Sequence, residues 1–182
     1  SRGIRLVTNA GGMNTAACGA ALEAVCREAD VSLTIATVEG DDAGPLLPAL
    51  RAEGITEMFS GEALPQRVVS ANAYLGAAPV AAALAQGADI VVTGRVADSA
   101  LALGILMHEF GWASDDWDRL ASGSLVGHIL ECGAQATGGL HTAWTDVPSW
   151  ETIGYPVAEC QADGSFTVTK PAGTGGLVSR SV

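Results

Sequence analysis

The 182-residue sequence has few basic residues, and lysine is almost absent from it. Nine lysine and arginine residues stand against 20 aspartate and glutamate residues, which gives a formal net charge of −11. Lys170 is the single lysine, and the arginines are scattered along the chain. Binding to nucleic acid or to an anionic membrane surface normally needs a cluster of positive charge. The charge balance therefore predicts no nucleic-acid partner and no membrane partner.

Long apolar runs and paired cysteines are also missing. No uninterrupted stretch approaches the roughly 20 apolar residues that a membrane-spanning helix requires. Cys18, Cys26, Cys132 and Cys160 form no Cys-x-x-Cys pair, so we expect reduced, mostly buried thiols in a cytoplasmic protein. The chain has no Gly-x-Ser-x-Gly elbow, no Walker loop and no His-Glu-x-x-His motif. The sequence therefore assigns no metal, and it leaves the cofactor unknown.

Small and apolar residues dominate the chain instead. Hydrophobic residues make up 48% of it, charged residues only 16%, and there are 23 glycines. This composition argues against disorder, which needs low hydrophobicity and high charge. So many glycines indicate many tight turns and close backbone approaches. We therefore expect a single α/β domain over residues 1–182, cut from the interior of a longer protein.

The pattern of apolar residues predicts alternating strands and helices. A strand at 4–8, an alanine-rich helix at 15–29 and a strand at 31–38 form a βαβ unit, with Asn14 or Thr15 as the helix cap. The later elements are a short helix at 46–52, a helix at 78–86, a buried strand at 89–94, a helix to about 110, an acidic helix start at 115–120, a helix at 123–136, and a hairpin of 157–160 with 166–170. The predicted architecture is a Rossmann-like layered fold with a mainly parallel sheet flanked by helices, plus a C-terminal β-hairpin.

The first candidate site is the loop that joins the first strand to the first helix. Asn9, Gly11, Gly12 and Asn14 lie in it, just past the carboxyl end of a strand, where open parallel sheets bind ligands. Backbone N–H groups and the helix N-terminus could hold an anion there. A tight turn without a ligand explains the same residues equally well.

The second candidate site is the loop after the third strand, with Gly94, Arg95, Asp98 and Ser99. Arg95 could clamp a carboxylate or phosphate. Asp98 is a catalytic candidate, and it could instead serve only as a helix cap, with Arg95 facing solvent.

The third candidate loop follows the hairpin. It contains Lys170 and the stretch Gly173, Thr174, Gly175 and Gly176. A lysine beside a glycine-rich nest suits contact with an anion or with a thioester carbonyl. A flexible linker is the alternative.

A polar face on the helix predicted at 123–136 is the fourth candidate. His128, Glu131 and Cys132 fall at positions i, i+3 and i+4, and Gln135 extends the face by one turn. His128 and Glu131 could form a proton-transfer dyad. They could also supply two metal ligands, or Glu131 could simply satisfy a half-buried histidine. The acidic loop of residues 39–42, with Glu39, Asp41 and Asp42, could bind Mg²⁺ or simply be solvated.

Six stretches in this order resemble the acyclic terpene utilisation protein family, and the resemblance covers essentially the whole chain. They are VTNAGGMN at 7–14, VEGDD at 38–42, SANAYLG at 70–76, VTGRVADS at 92–99, GHILECGAQATGG at 127–139 and TKPAGTGG at 169–176. The resemblance implies a place in bacterial catabolism of branched terpenoids such as citronellol and geraniol, beside acyl-CoA enzymes. It implies no settled reaction and no known catalytic residues.

The resulting expectation is a cytoplasmic enzyme that hydrates or cleaves a branched acyl-CoA or free acid. His128, Glu131, Asp98 and Lys170 are its catalytic candidates. Its expected partners are a small-molecule substrate such as a CoA thioester, and either a second copy of the chain or partner acyl-CoA enzymes. A non-catalytic acyl-CoA-binding subunit and a nucleotide-dependent enzyme are the alternatives.

Overall fold

The computed structural model describes residues 3–182, and these form two compact units. Unit 1 contains the described residues up to Leu75 together with Ala88–Val96. Unit 2 contains Gly76–Gly87 and Ala97–Val182. The fold is mixed α/β, with a parallel sheet in unit 1 and an antiparallel hairpin near the C-terminus in unit 2, so the predicted fold class is confirmed. None of the helices in residues 3–182 has the length and apolarity needed to cross a bilayer.

Unit 1 is built on a three-stranded parallel sheet in the order β1-β3-β2. Its elements are β1 (Leu6–Thr8), α1 (Thr15–Glu28), β2 (Ile35–Val38), α2 (Leu47–Ala52) and β3 (Ile90–Thr93). The predicted strand–helix–strand order over residues 4–38 is confirmed, although β3 lies between β1 and β2 in the sheet and β2 is shorter than its apolar run. Asp89 explains the late start of β2, because its carboxylate accepts the backbone N–H of Thr34 at 2.8 Å.

The central strand β3 is the most buried part of unit 1. Val91, Val92 and Thr93 are all fully buried, as expected for a β-branched strand with a neighbour on each side. Helix α1 packs on β2 and β3. It approaches closely because Gly19 has no side chain, and a Cβ there would meet the methyl group of Thr37 at 2.7 Å.

Unit 2 consists of three helices followed by the hairpin. They are α3 (Ala78–Ala85), α4 (Ala100–Phe110) and α5 (Trp117–Glu131), with β4 (Val157–Cys160) and β5 (Phe166–Thr169). The predicted hairpin is confirmed with β4 antiparallel to β5.

The predicted separation of helices at 115–120 and 123–136 is wrong. Residues 117–131 form one continuous helix, and a 3-10 turn, Gly133–Thr137, follows it. Gly123 lies within this helix, where the lack of a side chain lets Trp112 and Leu103 pack closely against it. A Cβ at Gly123 would meet the ring of Trp112 at 2.9 Å and the side chain of Leu103 at 2.8 Å.

The core of unit 2 forms where α4 and α5 meet the hairpin. Leu106, Trp112 and Val126 are its buried members, and Phe166 packs against them from β5. The indole N–H of Trp112 donates to the carbonyl of Ala162 at 2.9 Å, which satisfies its polar atom. This cluster fixes α5 against the hairpin.

We expect Gly104→Ala to destabilise unit 2, because α3 and α4 touch at this position. A Cβ at Gly104 would lie 2.6 Å from that of Val80, and such overpacking costs about 1–3 kcal/mol. Gly76→Ala is the matched control, since no atom lies within 4 Å of its added methyl group. All four tryptophans belong to unit 2, so urea unfolding followed by tryptophan fluorescence reports this unit. Equal midpoints for the two variants would contradict the close contact.

Candidate functional site

The carboxyl ends of the three parallel strands lie at one edge of the unit 1 sheet. The loops that follow β1, β2 and β3 start there, which is the edge where open α/β sheets bind ligands. Two of these loops touch. A Cβ at Gly11 would lie 2.5 Å from the carbonyl oxygen of Thr93, so the structure brings the first candidate loop against the end of β3, next to Gly94.

The loop between β1 and α1 is a tight, internally bonded turn. Gly12 has a φ of +53° and donates its N–H to Asn9 O at 3.1 Å. Asn14 donates its N–H to Gly11 O at 2.9 Å, and its side chain accepts the N–H of Ala17 at 3.0 Å, which confirms the predicted cap. These N–H groups are used within the turn, so the anion-binding role of this loop stays a prediction.

A buried carboxylate, Asp41, joins three segments at this edge. Its Oδ2 accepts the side-chain amide of Asn72 at 2.8 Å and the backbone N–H of Arg95 at 2.9 Å. Its backbone carbonyl accepts the N–H of Ala73 at 2.8 Å. Gly94 lies directly against the carboxylate, so that no side chain fits there. We call the residues Asp41, Asn72, Gly94 and Arg95 the Asp41 clamp.

The side chain of Arg95 lies over an aromatic ring. Its guanidinium carbon is 4.7 Å from the ring centre of Tyr74, and its Nη2 donates to the Tyr74 hydroxyl. Stacking on an aromatic face holds a guanidinium in a fixed orientation. Arg95 therefore does not simply extend into solvent, as the alternative interpretation of this loop had it.

A cleft of about 230 Å³ opens beside the clamp in unit 1. Gly12, Thr15, Asp41, Asp42 and Asn72 contribute its polar wall. Of the anion-binding candidates in the sequence, only Gly12 lines this cleft. The sequence predicts Asp41 only as part of an acidic tip that binds Mg²⁺ or is solvated, and the structure instead buries its side chain. Asn72 is not predicted as a site residue, although both stretches belong to the motifs that indicate the family. Their shared hydrogen bond spans 31 residues, and no local pattern predicts it.

The remainder of the second candidate loop belongs to unit 2. Ser99, not Asp98, is the N-cap of α4, and it makes no side-chain capping hydrogen bond, so the helix-cap interpretation of Asp98 is wrong. Asp98 is exposed. Ser99 packs on α5, because a Cβ at Gly127 would meet the carbonyl oxygen of Ser99 at 2.5 Å. The start of α4 therefore lies one residue from His128.

A cleft of about 400 Å³ lies along the end of α5 in unit 2, and we call it the His128 cleft. The residues that line it are His128, Ile129, Cys132, Gln135, Ala136, Leu140, Val168, Val178, Ser179 and Val182. Most of these are apolar. Glu131 does not line the cleft, and no ion pair or hydrogen bond is recorded between it and His128 among the described residues. The proton-transfer dyad therefore stays a prediction.

Lys170 holds its own loop closed. Its ammonium group donates to the carbonyl of Thr174 at 2.5 Å and to the hydroxyl of Thr174 at 3.2 Å. Gly175 donates its N–H to Thr152 O at 2.7 Å, and Gly176 is buried against the backbone of Ile153. Gly173, with a φ of +79°, is exposed at the tip. The loop is thus a fixed structure rather than a linker, and two lysine donors are engaged within it.

The described residues contain no group of three or more His, Cys, Asp or Glu side chains placed to hold a metal ion. Among the four thiols, burial raises the pKa of Cys160, which packs on the core cluster of unit 2. Cys132 is half-buried in the wall of the His128 cleft.

The fold is that of an α/β protein with an open cleft in each of its two units. More specifically, the chain belongs to the acyclic terpene utilisation family, because the family model described as "Acyclic terpene utilisation family protein AtuA" matches residues 1–182. This confirms the resemblance inferred from the six motifs. Comparison with curated proteins and with solved structures gives no match.

We expect Asp41→Ala to loosen the carboxyl edge of the unit 1 sheet. The change leaves the half-buried amide of Asn72 and the N–H of Arg95 without their acceptor, which costs about 1–3 kcal/mol. Asp42→Ala removes the same charge but only one exposed turn bond, to the N–H of Gly44. Hydrogen–deuterium exchange of peptides covering 71–75 and 93–96 measures the effect. Faster exchange in Asp41→Ala alone is the expected result, and equal exchange in both variants would contradict the clamp.

Proposed function

We propose that this protein is an enzyme of branched terpenoid breakdown that binds a branched acyl-CoA, or the corresponding free acid, in the His128 cleft. One observation carries the proposal: an imidazole lies on the wall of a largely apolar cleft of about 400 Å³. Small-molecule sites are typically clefts of about 300–1,000 Å³ with apolar walls and few polar groups. Membership of the acyclic terpene utilisation family supports the substrate class.

The walls of the cleft suit a branched hydrocarbon chain. Ile129, Leu140, Val168 and Val178 offer methyl-bearing side chains to a ligand, and each buried CH₂ group of the ligand contributes about 0.8 kcal/mol. Leu140 is 75% exposed, so a bound chain would cover apolar surface that now faces water. That gain favours a terpenoid acyl group over a short polar acid.

The polar groups of the cleft suit chemistry beside a carbonyl. Hydration and carbon–carbon cleavage, the two reactions we favour, both move a proton near an acyl group, and imidazole does this at neutral pH. The side-chain amide of Gln135 is the natural donor to the acyl oxygen. We assign the proton transfer to His128, and we do not expect Glu131 to contact the substrate, because it does not line the cleft. A cytoplasmic location remains part of this proposal.

A non-catalytic acyl-CoA-binding subunit is the second candidate. The observation in its favour is that His128 is exposed, whereas catalytic groups are usually held in place by neighbouring residues. Such a subunit would bind the same ligand and present it to a partner enzyme. Ligand binding alone does not separate the two candidates, but turnover does.

The test starts with thermal unfolding of the intact protein in the presence of candidate ligands. The panel contains a branched ten-carbon acyl-CoA, its straight-chain isomer, free CoA, ATP and NAD. A ligand at about a hundredfold excess over its Kd stabilises by about 2.7 kcal/mol, and we expect the largest shift with the branched acyl-CoA. A shift with ATP or NAD and none with any CoA species would overturn the proposal in favour of a nucleotide-dependent enzyme.

Turnover of the ligand identified in this way distinguishes enzyme from binding subunit. We expect His128→Gln to lower kcat by about 10²–10⁴-fold, the usual contribution of a general acid or base, with ligand binding retained. Glu131→Gln is the matched control on the same helix and should change kcat only a few-fold. Unchanged turnover in His128→Gln would remove the catalytic role. Product analysis by mass spectrometry would then separate hydration from cleavage.

A further inference from the structure

A thiol shares the wall of the His128 cleft with the imidazole. Cys132 follows His128 by one helical turn, and both line the cleft. Residues at i and i+4 on a helix have Cβ atoms about 5–6 Å apart, which is within reach of a thiol–imidazole hydrogen bond after side-chain rotation. A nucleophile beside a base in a substrate cleft is the arrangement that covalent catalysis requires.

We propose that Cys132 accepts the acyl group of the substrate, with His128 as its general base. This inference rests on the proposed function, because it takes the acyl-CoA thioester as the acyl donor. The sulfur of Cys132 attacks the thioester carbonyl while the imidazole takes the thiol proton. The tetrahedral intermediate then expels CoA, whose sulfur receives that proton. One carbon–sulfur bond forms and another breaks, so no oxidant or reductant is needed.

The position of the pair on α5 favours this sequence of events. The carboxyl end of a helix carries partial negative charge, which stabilises a cation, and His128 lies in the last turn of α5. The imidazolium that forms when the proton is transferred lies near this partial charge. The proton of the Cys132 thiol leaves during its attack on the carbonyl.

The groups around the pair complete the site. Gln135 lies in the 3-10 turn that follows Cys132 and lines the same wall, where its amide N–H can donate to the oxyanion of the intermediate. Ile129 and Val168 add apolar side chains to this wall for the hydrocarbon part of the acyl group.

The other three cysteines lack this environment. Cys18 and Cys26 lie on α1 of unit 1, whose described residues include no histidine. Cys160 packs against the core cluster of unit 2, away from the His128 cleft lining, and its burial disfavours the thiolate. Cys26→Ala and Cys160→Ala therefore serve as matched controls for Cys132→Ala.

The experiment measures acylation directly, by intact-protein mass spectrometry after mixing with a branched ten-carbon acyl-CoA. We expect one adduct per chain with the mass of the acyl group less one hydrogen, release of one equivalent of free CoA, and loss of the adduct in hydroxylamine. The adduct should be absent in Cys132→Ala and present in both control variants. In His128→Gln the adduct should form at least tenfold more slowly, while iodoacetamide still labels Cys132 at high pH.

A parallel binding measurement separates this inference from the proposed function. A thioether analogue of the acyl-CoA cannot transfer its acyl group, so its binding tests the cleft alone. Binding of the analogue without any adduct overturns the acyl-acceptor role and leaves the proposed function standing. An adduct on another cysteine also overturns it. Absence of both binding and adduct overturns the proposed function and this inference together. Circular dichroism of each variant confirms that it is folded.

Discussion

The Asp41 carboxylate is 7% exposed, and the arrangement of loops at the carboxyl edge of the unit 1 sheet depends on it. A buried charge is tolerated only when hydrogen bonds replace its hydration. Asp41 obtains these from the Asn72 amide and the Arg95 backbone. Those donors come from two distant parts of the chain, so the same bonds fix the start of the loop after β3 against the segment that carries Tyr74. The orientation of the Arg95 guanidinium follows, because Tyr74 lies under it.

Local signals account for the parts of the fold that the sequence predicts well. The alanine-rich run with its Asn14 cap, the buried β3 and the C-terminal hairpin are each determined by neighbours in sequence, and each is predicted with bounds close to those observed. The Asp41 clamp was missed because it joins residues 31 and 54 positions apart. The continuity of α5 was missed for a related reason, since only the packing of Trp112 shows why Gly123 lies within a helix.

Glycine positions in the candidate loops have two physical explanations that a sequence alone does not separate. A glycine can let a ligand approach the backbone, or it can let another part of the chain do so. Gly11, Gly94 and Gly127 belong to the second kind, because protein atoms occupy the space where their Cβ would lie. These three glycines therefore allow close packing of the chain and do not by themselves indicate contact with an anion. Gly12 and Gly173, with positive φ and open surroundings, remain available for ligand contact.

The charged candidate residues of unit 2 either stabilise their own loop or lie outside the His128 cleft. Lys170 and Gly175 use their donors to fix their own loop, and Glu131 lies outside the cleft lining. What remains on the wall is the imidazole of His128 in the last turn of α5, the thiol of Cys132 at its C-cap and the amide of Gln135 in the 3-10 turn that follows. The imidazole and the thiol suit proton transfer and acyl capture, and the branched aliphatic side chains around them suit a hydrocarbon chain. The spacing of His128 and Cys132 is set by the end of α5, which is anchored through Val126 to the core of unit 2.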